Sequence, residues 1–212
     1  MVSAGIWARR LKWNGAPVLE DGANPVGDNF NAGMGGGGSA MHHYAVWPRM
    51  HPTDFRMRTD FDRGLDWPLS YEELQPYYDL VQREAGISGD AEQENWRPAG
   101  EPYPMPPVPR VGQGRVLAEG FKAKGMNTAP LPLAVNTQPY NGRAVCLWDG
   151  WCDSGCPIGA LANPATVYLP KAIAAGATLA TETPVVKVLT KGGRTTGVEV
   201  VNADGQRQQV QA

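Results

Sequence analysis

Apolar side chains recur at helical spacing in one long stretch of the chain. The recurring positions are Leu74, Tyr77, Tyr78, Val81 and Ala85. Spacings of three and four residues place them on one side of a helix. Ser70 stands before the stretch and Glu73 follows three residues later, the order found in a capping box. The pattern predicts a helix that begins after Ser70 and ends before Gly86.

The other predicted elements are shorter and are separated by glycine and proline. Residues 96–110 carry repeated prolines and predict an extended connector. Residues 114–125, bounded by glycines, predict a second helix, and residues 170–175 a short third one. Residues 1–31 mix short apolar pieces with Asn, Gly and Pro, which indicates loops and at most one short strand.

The stretch from residue 185 onwards has a different pattern, with β-rich runs. These runs cover residues 185–189, 195–201 and 206–210. The pairs Gly192-Gly193 and Asp204-Gly205 separate them and are typical of tight hairpin turns. Together with the helices upstream, the runs predict an α+β chain that ends in a β-meander.

Composition narrows the classes of partner. The net charge of −2 and the pI near 5.9 leave no basic excess for binding nucleic acid. Seven Trp and seven Tyr indicate a folded chain, because disordered chains are poor in aromatic residues. No apolar stretch approaches the roughly 18–20 residues of a membrane helix, and no secretion signal opens the chain.

The three cysteines are Cys146, Cys152 and Cys156, with five and then three residues between them. Their odd number and close spacing argue against a disulfide framework and favour a metal site. A three-iron cluster needs only three thiolates on such a glycine-bearing loop. A closed zinc site would need a fourth ligand, and only Asp149 and Asp153 are near in sequence. Three buried thiols without a metal are the other alternative.

A glycine run over residues 33–38 formally matches G-x-G-x-x-G. No apolar strand precedes it and no helix start follows, so a dinucleotide fingerprint is rejected. The run instead offers bare backbone that can lie against a flat ring or a diphosphate. A flexible linker is the alternative. His42, His43 and His51 have no carboxylate or nucleophile at a catalytic spacing, so none is assigned catalysis.

Several short motifs together resemble the glucose–methanol–choline (GMC) oxidoreductases. Among these, the chain is most similar to the bacterial membrane-associated gluconate, fructose, sorbitol and FAD-dependent glucose dehydrogenases. The motifs are residues 37–42 (GGSAMH), Asp54-Phe55, Asp66-Trp67-Pro68, Tyr71, residues 74–78 (LQPYY) and residues 156–160 (CPIGA).

The resemblance implies two cofactors and a reaction. FAD would lie along Gly37, Gly38, Ser39, Met41 and His42, and the strand at Val185 would face its adenine end. The three cysteines would hold a 3Fe-4S cluster. The implied reaction is oxidation of a CH–OH group of a sugar, polyol or sugar acid, with electrons leaving through the cluster to a cytochrome or quinone.

The resemblance also implies an architecture and an assembly. Residues 1–65 and 145–212 would belong to an FAD-binding domain, and residues 66–144 to a helical, loop-rich insertion. The N-terminal βαβ unit and the C-terminal catalytic part of the family are missing, so an internal fragment, inactive by itself, is expected.

The expected partners are a small subunit and a cytochrome c subunit, which would attach the enzyme to the periplasmic face of the inner membrane. Two alternatives stay open. One is an alcohol dehydrogenase of the same family without a cluster, and the other is a non-catalytic zinc-binding module.

Overall fold

The computed structural model describes Asp21, Ala23, Gly33 and residues 35–212. The loops and short strand predicted over residues 1–31 therefore lie outside the described residues, apart from Asp21 and Ala23. The chain divides into two compact units, the first ending at Pro170 and the second spanning Lys171–Ala212. Within the described residues, no helix combines the length and apolar character needed to cross a bilayer.

The helices of the described residues are mostly short, and long loops join them. They are α1 (Met57–Phe61), α2 (Tyr71–Ala85), α3 (Gly112–Ala123), α4 (Pro164–Val167) and α5 (Leu169–Ala174). Three 3-10 turns cover Gly38–His42, Pro52–Arg56 and Cys152–Ser154. Both further predicted helices are thus present. The one predicted at 114–125 lies two residues earlier in the chain, and the one predicted at 170–175 lies one residue earlier. Residues 96–110 form neither helix nor strand, as predicted.

Local side-chain chemistry sets both ends of α2. Ser70 Oγ accepts a hydrogen bond from the Glu73 N–H at 3.3 Å, and the Glu73 carboxylate accepts from the Ser70 N–H at 2.8 Å. This reciprocal pair is a capping box. At the other end Gly86 adopts φ of 70°, a left-handed conformation that glycine tolerates best. The predicted start and end of this helix are confirmed.

The buried side of α2 is polar, which the apolar spacing did not predict. Tyr71, Asp79 and Gln82 are buried, whereas Tyr77 of the apolar stripe is 64% exposed. Arg49 lies against the polar side with only 1% of its side chain exposed. Its Nη2 donates to Asp79 Oδ1 at 2.5 Å and to Gln82 Oε1 at 2.8 Å. The helix therefore packs through a buried ion pair with hydrogen-bond support.

The core of the first unit lies where extended loop segments meet. Ser88 and Leu133 exchange backbone hydrogen bonds of 2.9 Å, and the Ala134 N–H donates to Ala45 O at 2.7 Å. Ala162 N–H in turn donates to Ala134 O at 2.8 Å. Ile87 and other small or branched side chains fill the centre. Loops can be buried here because these cross-connections satisfy their backbone groups.

The second unit contains a three-stranded antiparallel sheet in the order β1–β2–β3. The strands are β1 (Val185–Lys191), β2 (Arg194–Val201) and β3 (Arg207–Gln211). Gly192 and Gly193 join the first two strands with φ of 58° and 77°, the positive values of a type I′ hairpin turn. The predicted β-meander and the α+β class are confirmed, and the two-domain arrangement of the whole enzyme stays a prediction.

Replacing Gly197 in β2 by alanine is expected to lower the free energy of unfolding by about 2 kcal/mol. Its φ is 155°, and an added Cβ would lie 2.3 Å from the backbone oxygen of Val210 in the paired strand. Hydrogen exchange of the β3 amides measures the loss. Gly193→Ala is the control for backbone strain alone, because its φ of 77° is also positive but a Cβ there meets nothing within 4 Å among the described residues, so its loss should be the smaller of the two. Equal exchange in both variants would contradict the prediction.

Candidate functional site

Three glycines in the run before residue 39 have left-handed backbone. Gly35, Gly37 and Gly38 have φ of 131°, 99° and 57°. They lead into the five-residue 3-10 turn Gly38–His42, not into the α-helix that a dinucleotide fingerprint requires. A Cβ at Gly35 or Gly38 would meet none of the described atoms within 4 Å. Gly35 and Gly38 therefore present bare backbone that no described residue covers.

Gly37 is enclosed, in contrast to the glycines on either side of it. A Cβ at Gly37 would lie 2.7 Å from Met41 Sδ and 3.0 Å from Ala165 Cβ. The Gly33 N–H also donates to Ser39 Oγ at 3.0 Å, which ties the start of the run to the turn. Four of the predicted FAD contacts, Gly38, Ser39, Met41 and His42, thus share one compact turn, and Gly37 caps it.

The two adjacent histidines have different roles. The Ala45 N–H donates to His43 Nδ1 at 3.0 Å, so Nε2 carries the ring proton and donates to Ala162 O at 2.9 Å. His43 is therefore engaged in holding the core. His42 is 5% exposed, and its Nε2 has no hydrogen-bond partner among the described residues. A buried polar atom of this kind is expected to meet a ligand or water.

An apolar cavity of about 310 Å³ opens beside the turn. Its walls include Ala40, His43, Trp47 and Tyr168. Burial and a hydrogen bond to Glu84 raise the pKa of Tyr168 to about 12. The phenol is therefore protonated at neutral pH and cannot act as a general base there.

The loop that carries the three cysteines packs on the core of the first unit. Cys146, Cys152 and Cys156 are all half-buried and pack against the same core cluster. Cys152 begins the 3-10 turn Cys152–Ser154, which contacts the turn Gly38–His42. The structure therefore brings the predicted cluster loop next to the predicted flavin segment.

Backbone conformation lets this loop double back on itself. Trp148, Gly150 and Gly155 have φ of 58°, 73° and 85°. The Trp148 N–H donates to Cys146 Sγ at 3.4 Å, and the Cys146 N–H donates to Asn136 O at 2.9 Å. Amide donors to sulfur are a common feature of iron–sulfur loops.

The surroundings of two of the thiols, Cys146 and Cys152, favour their protonated form. Burial raises the pKa of Cys146 and of Cys152, and the charges of the other cysteines raise the Cys152 pKa further. The three thiols thus lie within electrostatic range of one another. The raised pKa values argue against Cys146 and Cys152 as activated nucleophiles, whereas a bound metal cation would deprotonate thiols of this kind.

The cysteines are gathered but are not arranged as a ligand set. Among the described residues, no group of three or more His, Cys, Asp or Glu side chains could hold a metal ion. No histidine joins the cysteines in such a group either. The cluster assignment therefore stays a prediction.

Val185, the remaining predicted cofactor contact, lies apart from these residues in the chain. It is the first residue of β1 in the second unit and pairs with Val200 of β2. Its side chain is 56% exposed. The predicted contact with adenine stays a prediction.

Comparison with known proteins identifies the family. The family model described as GMC oxidoreductase matches residues 30–212. The chain belongs to the GMC oxidoreductases. The match includes the turn Gly38–His42, the three cysteines and the whole sheet of this GMC chain.

Relatives of this GMC chain oxidise different compounds, as their names state. It is 37% identical to 2-methyl-1,2-propanediol dehydrogenase of Mycolicibacterium austroafricanum over 179 residues, 83% of this chain and 32% of the relative. It is 35% identical to the fructose dehydrogenase large subunit of Gluconobacter japonicus, over 61% of this chain and 24% of the relative. It is 36% identical to paromamine 6'-oxidase of Streptomyces fradiae, over 63% of this chain and 24% of the relative. This GMC chain thus spans a third or less of their length.

The sequence analysis missed Asn136 and Arg143, two residues that precede the first cysteine of the loop. Asn136 is 0% exposed and accepts a hydrogen bond through Oδ1 from Arg143 at 3.0 Å. The dipeptide Asn141-Gly142 has φ of 48° and 73°, so it forms the tight turn that its composition indicates. That signal could have placed Arg143 after a hairpin turn. Nothing local in this part of the GMC chain indicates which distant carbonyls Arg143 reaches.

Proposed function

We propose that the complete protein is an FAD-dependent dehydrogenase that oxidises a CH–OH group of a sugar, polyol or sugar acid. Electrons would leave through a 3Fe-4S cluster on Cys146, Cys152 and Cys156 to a cytochrome or quinone. Family membership supports the flavin chemistry, and the names of two relatives refer to dehydrogenation of an alcohol or a sugar. The observation that carries the proposal is the contact between the turns Gly38–His42 and Cys152–Ser154.

The residues of the first turn fit a flavin. Gly37, Gly38, Ser39, Met41 and His42 would hold FAD, which accepts hydride when bound. Bare backbone at Gly38 lets a flat or charged group approach closely, and backbone N–H groups of such a run can donate to phosphate. The buried His42 Nε2, which has no hydrogen-bond partner in the described part of the chain, adds a hydrogen-bonding atom beside this backbone. Val185 would contact the adenine end.

The cysteine loop fits an iron–sulfur cluster by its donor chemistry. Three soft ligands on one loop, with an amide N–H directed at Cys146 Sγ, match the ligand preference of iron–sulfur clusters. A cluster accepts electrons singly, as a haem or quinone acceptor requires. Because the pKa values of the Cys146 and Cys152 thiols are raised, cluster binding would release their protons.

The proposal includes partners and a location. The name of the fructose dehydrogenase relative, a large subunit, favours assembly with a small subunit, and a cytochrome c subunit would receive the electrons. Attachment to the periplasmic face of the inner membrane would occur only through these partners.

A second candidate is a GMC alcohol dehydrogenase whose thiols hold nothing. The absence of a ligating group among the described residues and the raised thiol pKa values favour it. The zinc-binding module has less support, because no histidine of the described residues completes a ligand set with the cysteines.

Replacing Cys152 by serine separates the two candidates. In the complete protein, purified without oxygen, we expect FAD together with iron and acid-labile sulfide. Cys152→Ser should keep FAD and substrate-dependent flavin bleaching but lose the iron. Reduction of a one-electron acceptor should then fall by about 100-fold or more, since even outer-shell changes cost 10–100-fold.

Leu147→Ala is the matched control, because Leu147 lies in the same loop with an exposed side chain. It should retain both iron and electron transfer. Wild-type protein that contains FAD but no iron, and whose activity is unchanged by Cys152→Ser, would establish the second candidate instead.

A further inference from the structure

His43 joins two segments that are distant from each other in the chain. Its Nε2–H donates to Ala162 O at 2.9 Å, and its Nδ1 accepts the Ala45 N–H at 3.0 Å. The first bond spans 119 positions of the chain, whereas the second spans only two. Ala45 and Ala162 are both buried. Loss of either bond would therefore leave a backbone group of a buried residue without its partner, which is costly.

Ala162 leads directly into the helix that packs against the turn Gly38–His42. Asn163 Oδ1 accepts the Ala165 N–H at 2.9 Å, and this N-cap fixes Ala165 relative to Ala162. Helix α4 contacts the turn, and a Cβ added at Gly37 would lie only 3.0 Å from Ala165 Cβ. The start of α4 is therefore the surface against which the turn packs.

His43 is the residue at which the turn ends, and the two adjacent histidines reach different parts of the molecule. The His43 backbone is extended, with φ of −87° and ψ of 163°. Its ring reaches Ala162, as described above. The His42 ring lies instead at Gly33, where an added Cβ would be 2.8 Å from His42 Nε2. A bond that anchors His43 thus also fixes His42 Nε2, the buried atom for which the described residues offer no hydrogen-bond partner.

We propose that His43 is a positioning residue whose bond to Ala162 O holds the turn Gly38–His42 in register with α4. In that register the glycine backbone of the turn and the His42 ring lie where FAD would bind. This inference rests on the proposed function, because it gives His43 a role only if FAD binds at this turn. His43 is assigned no contact with FAD and acts through the turn.

Two substitutions of His43 in the complete protein separate the distant bond from the local one. Gln places an amide donor near the position of Nε2, whereas Asn reaches only the position of Nδ1. The readouts are FAD per chain after gel filtration and the free energy of unfolding after FAD has been removed. Ser88→Ala is the matched control, because Ser88 is buried in the same unit and its Oγ also donates to a backbone oxygen, that of Leu133, at 3.1 Å.

We expect His43→Gln to retain FAD and His43→Asn to bind it about tenfold more weakly, because only the second variant leaves Ala162 O without a donor. Ser88→Ala should lower stability without loss of FAD. Equal FAD affinity in the two His43 variants would overturn the inference alone. Loss of FAD from Ser88→Ala would also overturn it, since FAD binding would then follow the stability of the unit and not the position of the turn.

The proposed function can fail separately from this inference. A wild-type complete protein without FAD would overturn both together. If His43→Asn does not fold, Ala165→Val replaces it, because the larger side chain pushes the turn away from α4 while His43 keeps its bond. This variant should lose FAD, and wild-type affinity for FAD would show that the position of the turn on α4 does not matter.

Discussion

Replacing Arg49 by methionine is expected to lower the free energy of unfolding by about 3–5 kcal/mol, because the substitution leaves Asp79 buried without its counter-ion. Methionine keeps much of the side-chain length but donates no hydrogen bond. Asp79 and Gln82 would then each lose a donor. Denaturant unfolding of the complete protein, followed by tryptophan fluorescence, measures the effect.

The pH dependence gives this prediction a second readout. Burial alone would raise the pKa of Asp79, but hydrogen bonds from Arg49 and the Glu101 N–H hold it below its ordinary value of 3.8. In wild-type protein this stabilisation is present at neutral pH and is lost as pH falls through the lowered pKa. Without Arg49, burial raises the pKa of Asp79 instead. The stability difference between Arg49→Met and wild type should therefore narrow as pH falls.

Two controls accompany the Arg49 substitution. Arg56→Ala removes a solvent-exposed ion pair with Asp60 and should change stability little. The double variant Arg49→Met with Asp79→Asn should recover part of the loss, since no unpaired charge remains buried. If Arg49→Met unfolded with the wild-type free energy at neutral pH, the buried Arg49–Asp79 pair would make no net contribution to stability.

Replacing Gly37 by alanine should strip most of the FAD from the complete protein. The φ of 99° disfavours a side chain, and the Cβ would press on Met41 and Ala165. Strain of about 1–3 kcal/mol distorts the turn that carries the proposed flavin contacts. Since about 1.4 kcal/mol corresponds to tenfold in affinity, FAD should bind about tenfold more weakly or worse. Flavin absorbance per protein after gel filtration measures the loss.

The neighbouring glycine is a matched control for Gly37. A Cβ at Gly36 would meet only Leu169 Cδ2, at 4.0 Å, so Gly36→Ala should retain FAD. Wild-type FAD content in Gly37→Ala would place the cofactor elsewhere. Loss of FAD in both variants would indicate that the whole glycine run needs flexibility. The prediction of a specific role for Gly37 would then be wrong.

The parts of the fold that depend on neighbouring residues could be predicted from the sequence. Ser70 and Glu73 satisfy each other across one turn, and Gly192-Gly193 needs no distant partner to form a hairpin. Asn163 followed by Pro164 also carries a readable start signal for α4, which the sequence analysis did not use. In each case the stabilising contact lies within a few residues.

Contacts between distant segments could not be predicted. The buried side of α2 is polar because Arg49, far upstream in the chain, supplies the donors for Asp79 and Gln82. Apolar spacing alone placed Tyr77 on the apolar side of the helix, but its side chain is exposed. At the candidate site, cysteine spacing predicted a shared loop, but its contact with the turn Gly38–His42 depends on core pairing that no local pattern encodes.

The contact between the turns Gly38–His42 and Cys152–Ser154 has a consequence for biosynthesis. The chain emerges from the ribosome in order, and domains fold only when their distant segments are available. Ala45 pairs with Ala134, which in turn pairs with Ala162, so this platform is incomplete until Ala162 has been translated. Long-range closure of this kind is slow. FAD loading is therefore expected to follow synthesis of this whole region, and nascent chains halted before Ala162 should retain no flavin.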